Sequence, residues 1–167
     1  MPANSRETPA SAFTVRSDLL DETNLRLLAE LQASPRISMS ALGRRVGMSA
    51  PAVTERVQRL ERAGVITGYR VEIDPEALGL PVTAFARIRP VPGQLPRIAE
   101  LAGRIGQVSE CYRITGEDCF LVKVHAATVP DLEELLDQFL TYGQTVTSIV
   151  VSTPVPPRAL PLPDGGR

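Results

Sequence analysis

Seven arginines (Arg36, Arg44, Arg45, Arg56, Arg59, Arg62 and Arg70) share residues 36–70 with only two acids, Glu55 and Glu61, so this segment carries +5. The rest of the 167-residue chain sums to −6, for a net charge of −1. Guanidinium groups present planar forks of donors that match phosphate oxygens and the O6/N7 edge of guanine. A near-neutral protein with one basic patch suits a polyanion. Between the arginines lie Ser49, Pro51, Thr54, Glu55 and Gln58. Of these, Thr54 and Gln58 can hydrogen-bond base edges, whereas Arg44, Arg45 and Arg62 suit phosphates and Arg59 suits either role. An i,i+4 pair between Glu55 and Arg59 on a solvated helix would explain part of the pattern, at a few tenths of a kcal/mol. It leaves Arg44, Arg45, Arg56 and Arg62 without a reason.

Positioning these groups requires two short helices around a tight turn. Leu42 and Val46 are one turn apart after Ser38, and Gly47 can end that helix in a left-handed conformation. Ser49 stands where an N-cap belongs, with Pro51 tolerated in the first turn. Val53, Val57 and Leu60 then recur at i, i+4 and i+7 until Ala63-Gly64 stops the second helix. The side opposite this stripe carries Pro51, Thr54, Glu55, Gln58 and Arg59, which is the grammar of a helix–turn–helix whose second helix enters the major groove. One more helix precedes the pair, opened by Asp18 or Asp21, with Leu25, Leu28 and Leu31 on one side and Ser34-Pro35 at its end.

Other chemistry finds little support. Hydrophobic residues at 43% and charged residues at 22% describe a soluble globular protein with no membrane partner. The N-terminus resembles neither a signal peptide nor a transit segment, so the expected location is the cytoplasm. Two cysteines, Cys111 and Cys119, make no disulfide framework, and their spacing to His125 fits no common zinc pattern. They read as buried or half-buried thiols. No metal and no cofactor is expected. With a single histidine, no tryptophan and no convincing acid–base pair, a catalyst is not expected either.

Residues 65–73 alternate as a strand pair or one long strand, followed by a turn-rich hinge at 74–79. From 82 onward the pattern is β-α-β-β-α-β: strands at 82–89, 108–115, 119–126 and 145–152, with helices around Ile98–Ile105 and from Thr128. The last helix should send Leu132, Leu135, Leu136, Phe139 and Leu140 inward. That order predicts an α+β chain, a helix–turn–helix domain joined to a ferredoxin-like βαββαβ domain. Both helices then cover one side of the sheet. Its other side mixes Thr83, Phe85, Arg87 and Arg89 with Cys119, Leu121, Lys123 and His125, and a second copy of the sheet is the economical cover, with His125 inside that interface. The expected boundaries are a disordered tail at 1–17, the DNA-binding domain at 18–64, a strand linker at 65–80, the ferredoxin-like domain at 81–153 and a proline-rich arm at 154–167.

This arrangement resembles the Lrp/AsnC family, the leucine-responsive and related transcription regulators, from about Asp18 to Thr153. Three stretches carry the likeness: Leu20-Asp21-x-x-Asn24 with Leu27-Leu28-x-x-Leu31-Gln32 and Arg36-Ile37-Ser38; Val46-Gly47-Met48-Ser49 with Arg56-Val57-x-Arg59-Leu60-Glu61-x-x-Gly64-Val65-Ile66-x-Gly68-Tyr69; and Glu110-Cys111-Tyr112-x-x-x-Gly116 with Leu121-Val122-Lys123. The resemblance implies a double-stranded-DNA-binding homodimer that assembles further, commonly into octamers. It also implies a small-molecule effector, often an amino acid, bound between dimers near the loop after the second strand of the sheet. Carried onto this chain, that site comprises Tyr112, Gly116, Glu117, Asp118, Cys119, Gln144 and Thr147. An acid there can pair an ammonium and the loop amides a carboxylate. Cys119 and the Tyr142-Gly143-Gln144-Thr145 entry to the last strand depart from the family pattern, so the resemblance does not name the effector. Two alternatives share the architecture: an effector-independent architectural DNA-binding protein, and an enzyme similar to sirohaem decarboxylase subunits, which the residue inventory disfavours.

Overall fold

The computed structural model describes residues 19–163, so the expected tail at 1–17 and the end of the arm, 164–167, lie outside the described residues. The described residues form two compact units, 19–71 with 157–163, and Glu72–Pro156.

The first unit holds three helices. Helix α1 (Glu22–Ala33) starts where the Asp21 carboxylate accepts the Asn24 N–H at 2.7 Å, and it stops at Ser34. It buries Leu25, Leu28 and Leu31 as expected, and also Leu27, which is fully sealed. Helix α2 (Met39–Val46) is capped by Ser38 and ended by Gly47 at φ 74°. Helix α3 (Ala50–Arg62) is capped by Ser49, with Pro51 in its first turn. Each such cap satisfies a donor that would otherwise be orphaned, worth about 1 kcal/mol. Val53, Val57 and Leu60 are buried against α1 and α2, so the stripe read from the sequence is the packed face. Gly43 sets how tightly the pair can turn: a Cβ there would sit 2.5 Å from the Met48 carbonyl oxygen.

The strand expected over residues 65–73 is not formed. This segment bends at 65–66 and then runs outside any helix or strand, with Tyr69, Val71 and Ile73 exposed, and no strand among the described residues pairs with it. A strand is defined by its neighbour's hydrogen bonds, and alternation alone cannot supply them. A single 3₁₀ turn (Glu76–Leu78) follows.

The second unit is a four-stranded antiparallel sheet of β1 (Val82–Pro90), β2 (Val108–Arg113), β3 (Phe120–Ala126) and β4 (Gly143–Ile149), ordered β2-β3-β1-β4. Helices α4 (Leu95–Arg104) and α5 (Val129–Leu140) pack on one side of it. Ala84, Ala86 and Ile88 of β1 and Phe120, Val122, Val124 and Ala126 of β3 meet Ile98, Leu101, Leu132, Leu136 and Phe139 there. This is the ferredoxin-like arrangement expected from the sequence. Leu140 departs from expectation: as the last residue of α5 it stands 54% exposed, and Phe139 fills the core position instead.

Candidate nucleic-acid interface and effector site

With its apolar stripe sealed, α3 turns a polar flank outward. Ser49, Pro51, Glu55, Gln58, Arg59 and Arg62 are exposed on it, and Arg44 and Arg45 are exposed at the end of α2. Thr54 is half-buried, and its hydroxyl donates to the Ala50 carbonyl at 2.9 Å, which leaves outward only the acceptor capacity of that oxygen and a methyl group. Ser49 Oγ is engaged with the Ala52 amide at 3.4 Å.

The arginines divide into two groups that the sequence does not separate. Arg45 is paired with Glu30 of α1, and its own carbonyl accepts from Arg26. Arg56 donates to Asp21 at 2.8 Å and to Asn24 Oδ1 at 3.0 Å, while the buried Asn24 amide donates to the Leu19 carbonyl at 2.8 Å. The hydrogen bond from Arg56, opposed by slight burial, holds the Asp21 carboxyl below its ordinary value. These two arginines therefore tie α2 and α3 to α1. Arg44, Arg59 and Arg62 make no ion pair among the described residues and keep their whole charge for a ligand. Sequence reasoning missed the Asn24–Arg56 lock because its partners lie 32 residues apart.

The second candidate site lies at one end of the uncovered sheet face. Asp118 and Glu117, expected to meet an ammonium, already meet arginines of β1. Arg89 reaches Glu117 at 2.6 Å and Asp118 at 3.4 Å, and Arg87 lies 3.7 Å from Asp118. Sequence reasoning placed both arginines on this face but not against the loop. Gln144 is the cross-strand partner of Arg89, and Tyr112, Leu121, Arg87 and Val146 form the next row across the four strands. The structure thus places Tyr112 and Gln144 on the same open face as Arg87, Arg89 and the loop they reach, but on the two opposite edge strands, β2 and β4. It separates Thr147, which pairs with Ala86 and so belongs to the helix-covered side. Cys119 does not join the open face either. It precedes β3, packs against the core, and its thiol lies 3.7 Å from the Gly116 and Glu117 carbonyls.

Farther along the same face, His125 Nδ1 is 3.0 Å from Thr83 Oγ1 and its Nε2 is 3.0 Å from Ser109 Oγ. Lys123 donates to Glu110 at 3.1 Å, and Tyr112 also donates to Glu110. Burial, aided by the Lys123 charge and opposed by Glu110, pushes the imidazole pKa down, so His125 is neutral at pH 7. Cys111 is exposed on β2 rather than buried or half-buried as expected, and partial desolvation by its neighbours raises its thiol pKa above the ordinary value. Among the described residues no cluster of metal-ligating side chains is present, and no helix is long and apolar enough to cross a membrane.

Residues 20–67 match the winged helix-turn-helix DNA-binding family, and residues 83–160 match the Lrp/AsnC ligand binding domain. The chain is 35% identical to the HTH-type transcriptional regulator LrpC of Bacillus subtilis over 133 residues, 80% of this chain and 92% of that protein. The solved structure of LrpC superposes with a TM-score of 0.76 at 34% identity, over 80% of this chain and 96% of that one. LrpA of Mycobacterium tuberculosis, another HTH-type transcriptional regulator, is 36% identical over 140 residues, 82% of this chain and 93% of its own. The feast or famine regulatory protein of M. tuberculosis, solved in complex with L-methionine, superposes with a TM-score of 0.78 at 35% identity, covering 84% and 98%. The names among these relatives are those of regulators, not enzymes. The order of a helix–turn–helix unit followed by a ligand-binding sheet domain is thus shared in sequence and in fold, and the chain belongs to the Lrp/AsnC family of DNA-binding transcriptional regulators.

Proposed function

We propose that α3 reads the major groove through Gln58 and Arg59, with Thr54 as an acceptor, while Arg44 and Arg62 hold phosphates on either side. The observation that carries this reading is the complete burial of Val53 and Leu60 behind a flank of exposed hydrogen-bonding groups. One helix offers few base contacts, so a homodimer grips two half-sites about one helical turn apart. The open sheet face supports that dimer, because Phe85, Leu121 and Val146 stand there beside the half-buried Thr83–His125 and Lys123–Glu110 hydrogen bonds. Residues 65–73 support it too: a second copy would supply the strand partner that their alternation lacks. Assembly beyond the dimer, up to an octamer, and a cytoplasmic location beside the DNA belong to the same reading.

The Arg87, Arg89, Glu117 and Asp118 cluster is the proposed effector site. Both charges of an amino acid find a counterpart here: its carboxylate on the arginines, its ammonium on the loop acids. The L-methionine complex of a relative makes methionine the first compound to test. An effector acts only through unequal affinity for two assembly or domain states. The test is a thermal-shift screen of amino acids on the wild type and on Arg89→Ala. A stabilisation lost in Arg89→Ala supports this site. Equal melting of both proteins with every compound supports the effector-independent reading.

A further inference from the structure

The sequence predicts an extended, largely unpacked arm over 154–167, and residues 151–161 are indeed exposed. Leu162 is the exception. Its half-buried side chain packs against the cluster of Leu19, Leu28 and Leu60. Two residues earlier, the Gln32 side-chain amide donates to the Leu160 carbonyl at 3.2 Å, while the Leu160 side chain itself stays 80% exposed. Residues from Pro157 onward group with the DNA-binding unit, although β4 lies in the other one.

Each member of that cluster matters for α3. Leu60 is the last residue of its apolar stripe. Leu28 belongs to α1, against which α3 rests. Leu19 presents the carbonyl that fixes Asn24, and Asn24 in turn receives Arg56 of α3. Pro161 and Pro163 flank Leu162 and fix φ on both sides, which lowers the entropy lost on docking. We infer that residues 158–163 are an integral part of the DNA-binding unit, docked on the α1–α3 seam of their own chain, where Leu162 holds the recognition helix in its DNA-reading position.

The inference rests on the DNA-binding reading, and its test separates the two. Three full-length or near-full-length proteins are compared with wild type: Leu162→Asp, a truncation after Pro157, and Leu160→Asp as the exposed control. Native-state hydrogen exchange of α1 and α3 and anisotropy on a selected duplex are read in each. Leu162→Asp and the truncation should each raise exchange in both helices by about tenfold or more. Both should also weaken duplex binding by at least about fivefold, with Leu160→Asp unchanged in both readouts. Unchanged exchange in the first two variants overturns the docking, and faster exchange with undiminished affinity overturns the positioning role. A wild type that ignores duplex DNA, with exchange still responding to Leu162→Asp, defeats the functional reading and leaves the docking intact. Bis-maleimide cross-linking of Gln32→Cys with Leu160→Cys, in a chain whose Cys111 and Cys119 are serine, identifies the arm's owner. A product of monomer mass supports the inference, and one of dimer mass overturns the assignment to the same chain.

Discussion

Gln58 carries the most sequence information per atom on α3, since its amide offers both a donor and an acceptor from an exposed position. Gln58→Ala should cost about 1–3 kcal/mol on the cognate site and nothing measurable on unrelated duplexes, as read by anisotropy with competitor DNA. Arg62→Ala should instead weaken all sequences and lower the salt slope by about one. Arg56 behaves differently from both because its donors are spent on Asp21 and Asn24. Arg56→Ala leaves a buried amide oxygen without its partner and should lower folding stability by about 1–3 kcal/mol, seen as an earlier denaturant midpoint. The same contact sets an acid sensitivity. The folded Asp21 pKa lies below the unfolded value of 3.8, so its contribution is present above that value and is lost as pH falls through the lower folded one. Asp21→Asn should flatten the decline in thermal midpoint between neutral and strongly acidic buffer. The exposed position of Asp21 makes this step small and salt-screened.

At the scale of elements, what was legible was local. Asp21, Ser38 and Ser49 announce helix starts because a short oxygen one residue before a helix satisfies its orphan N–H groups wherever the rest of the chain goes. The β1 and β3 alternation announces which side is buried for the same reason. Features set by distant partners were not legible. Arg45 and Arg56 count as basic surface until Glu30 and Asp21 come beside them, and Glu117 and Asp118 read as vacant acids until the antiparallel register brings Arg87 and Arg89 to the loop. Thr147 came to the site only through the resemblance, and it is three residues from Gln144, an odd step that puts the two on opposite faces of β4. Gly43 also escaped notice, though it limits the closeness of α2 to the turn. Gly43→Ala should push a methyl into the Met48 carbonyl and destabilise the first unit by about 1–3 kcal/mol, measured by chemical denaturation.

For the whole molecule, the uncovered sheet face and the unpaired 65–73 segment both call for a second copy. Sedimentation at micromolar concentration should show a dimer or a multiple of it, and Leu121→Glu, which places a carboxylate in the middle of the face, should shift the distribution toward monomer. A strictly monomeric wild type would remove the two-fold grip on which tight DNA binding depends. The most direct measurement is selection of bound fragments from random duplex DNA by the purified full-length protein, with anisotropy on the winners at several salt concentrations. The prediction is a recurring inverted repeat whose half-sites lie about one helical turn apart, bound at least about a thousandfold more tightly than random sequence. Folded protein that enriches no sequence and retains no duplex at low salt, with or without amino acids, would contradict the account.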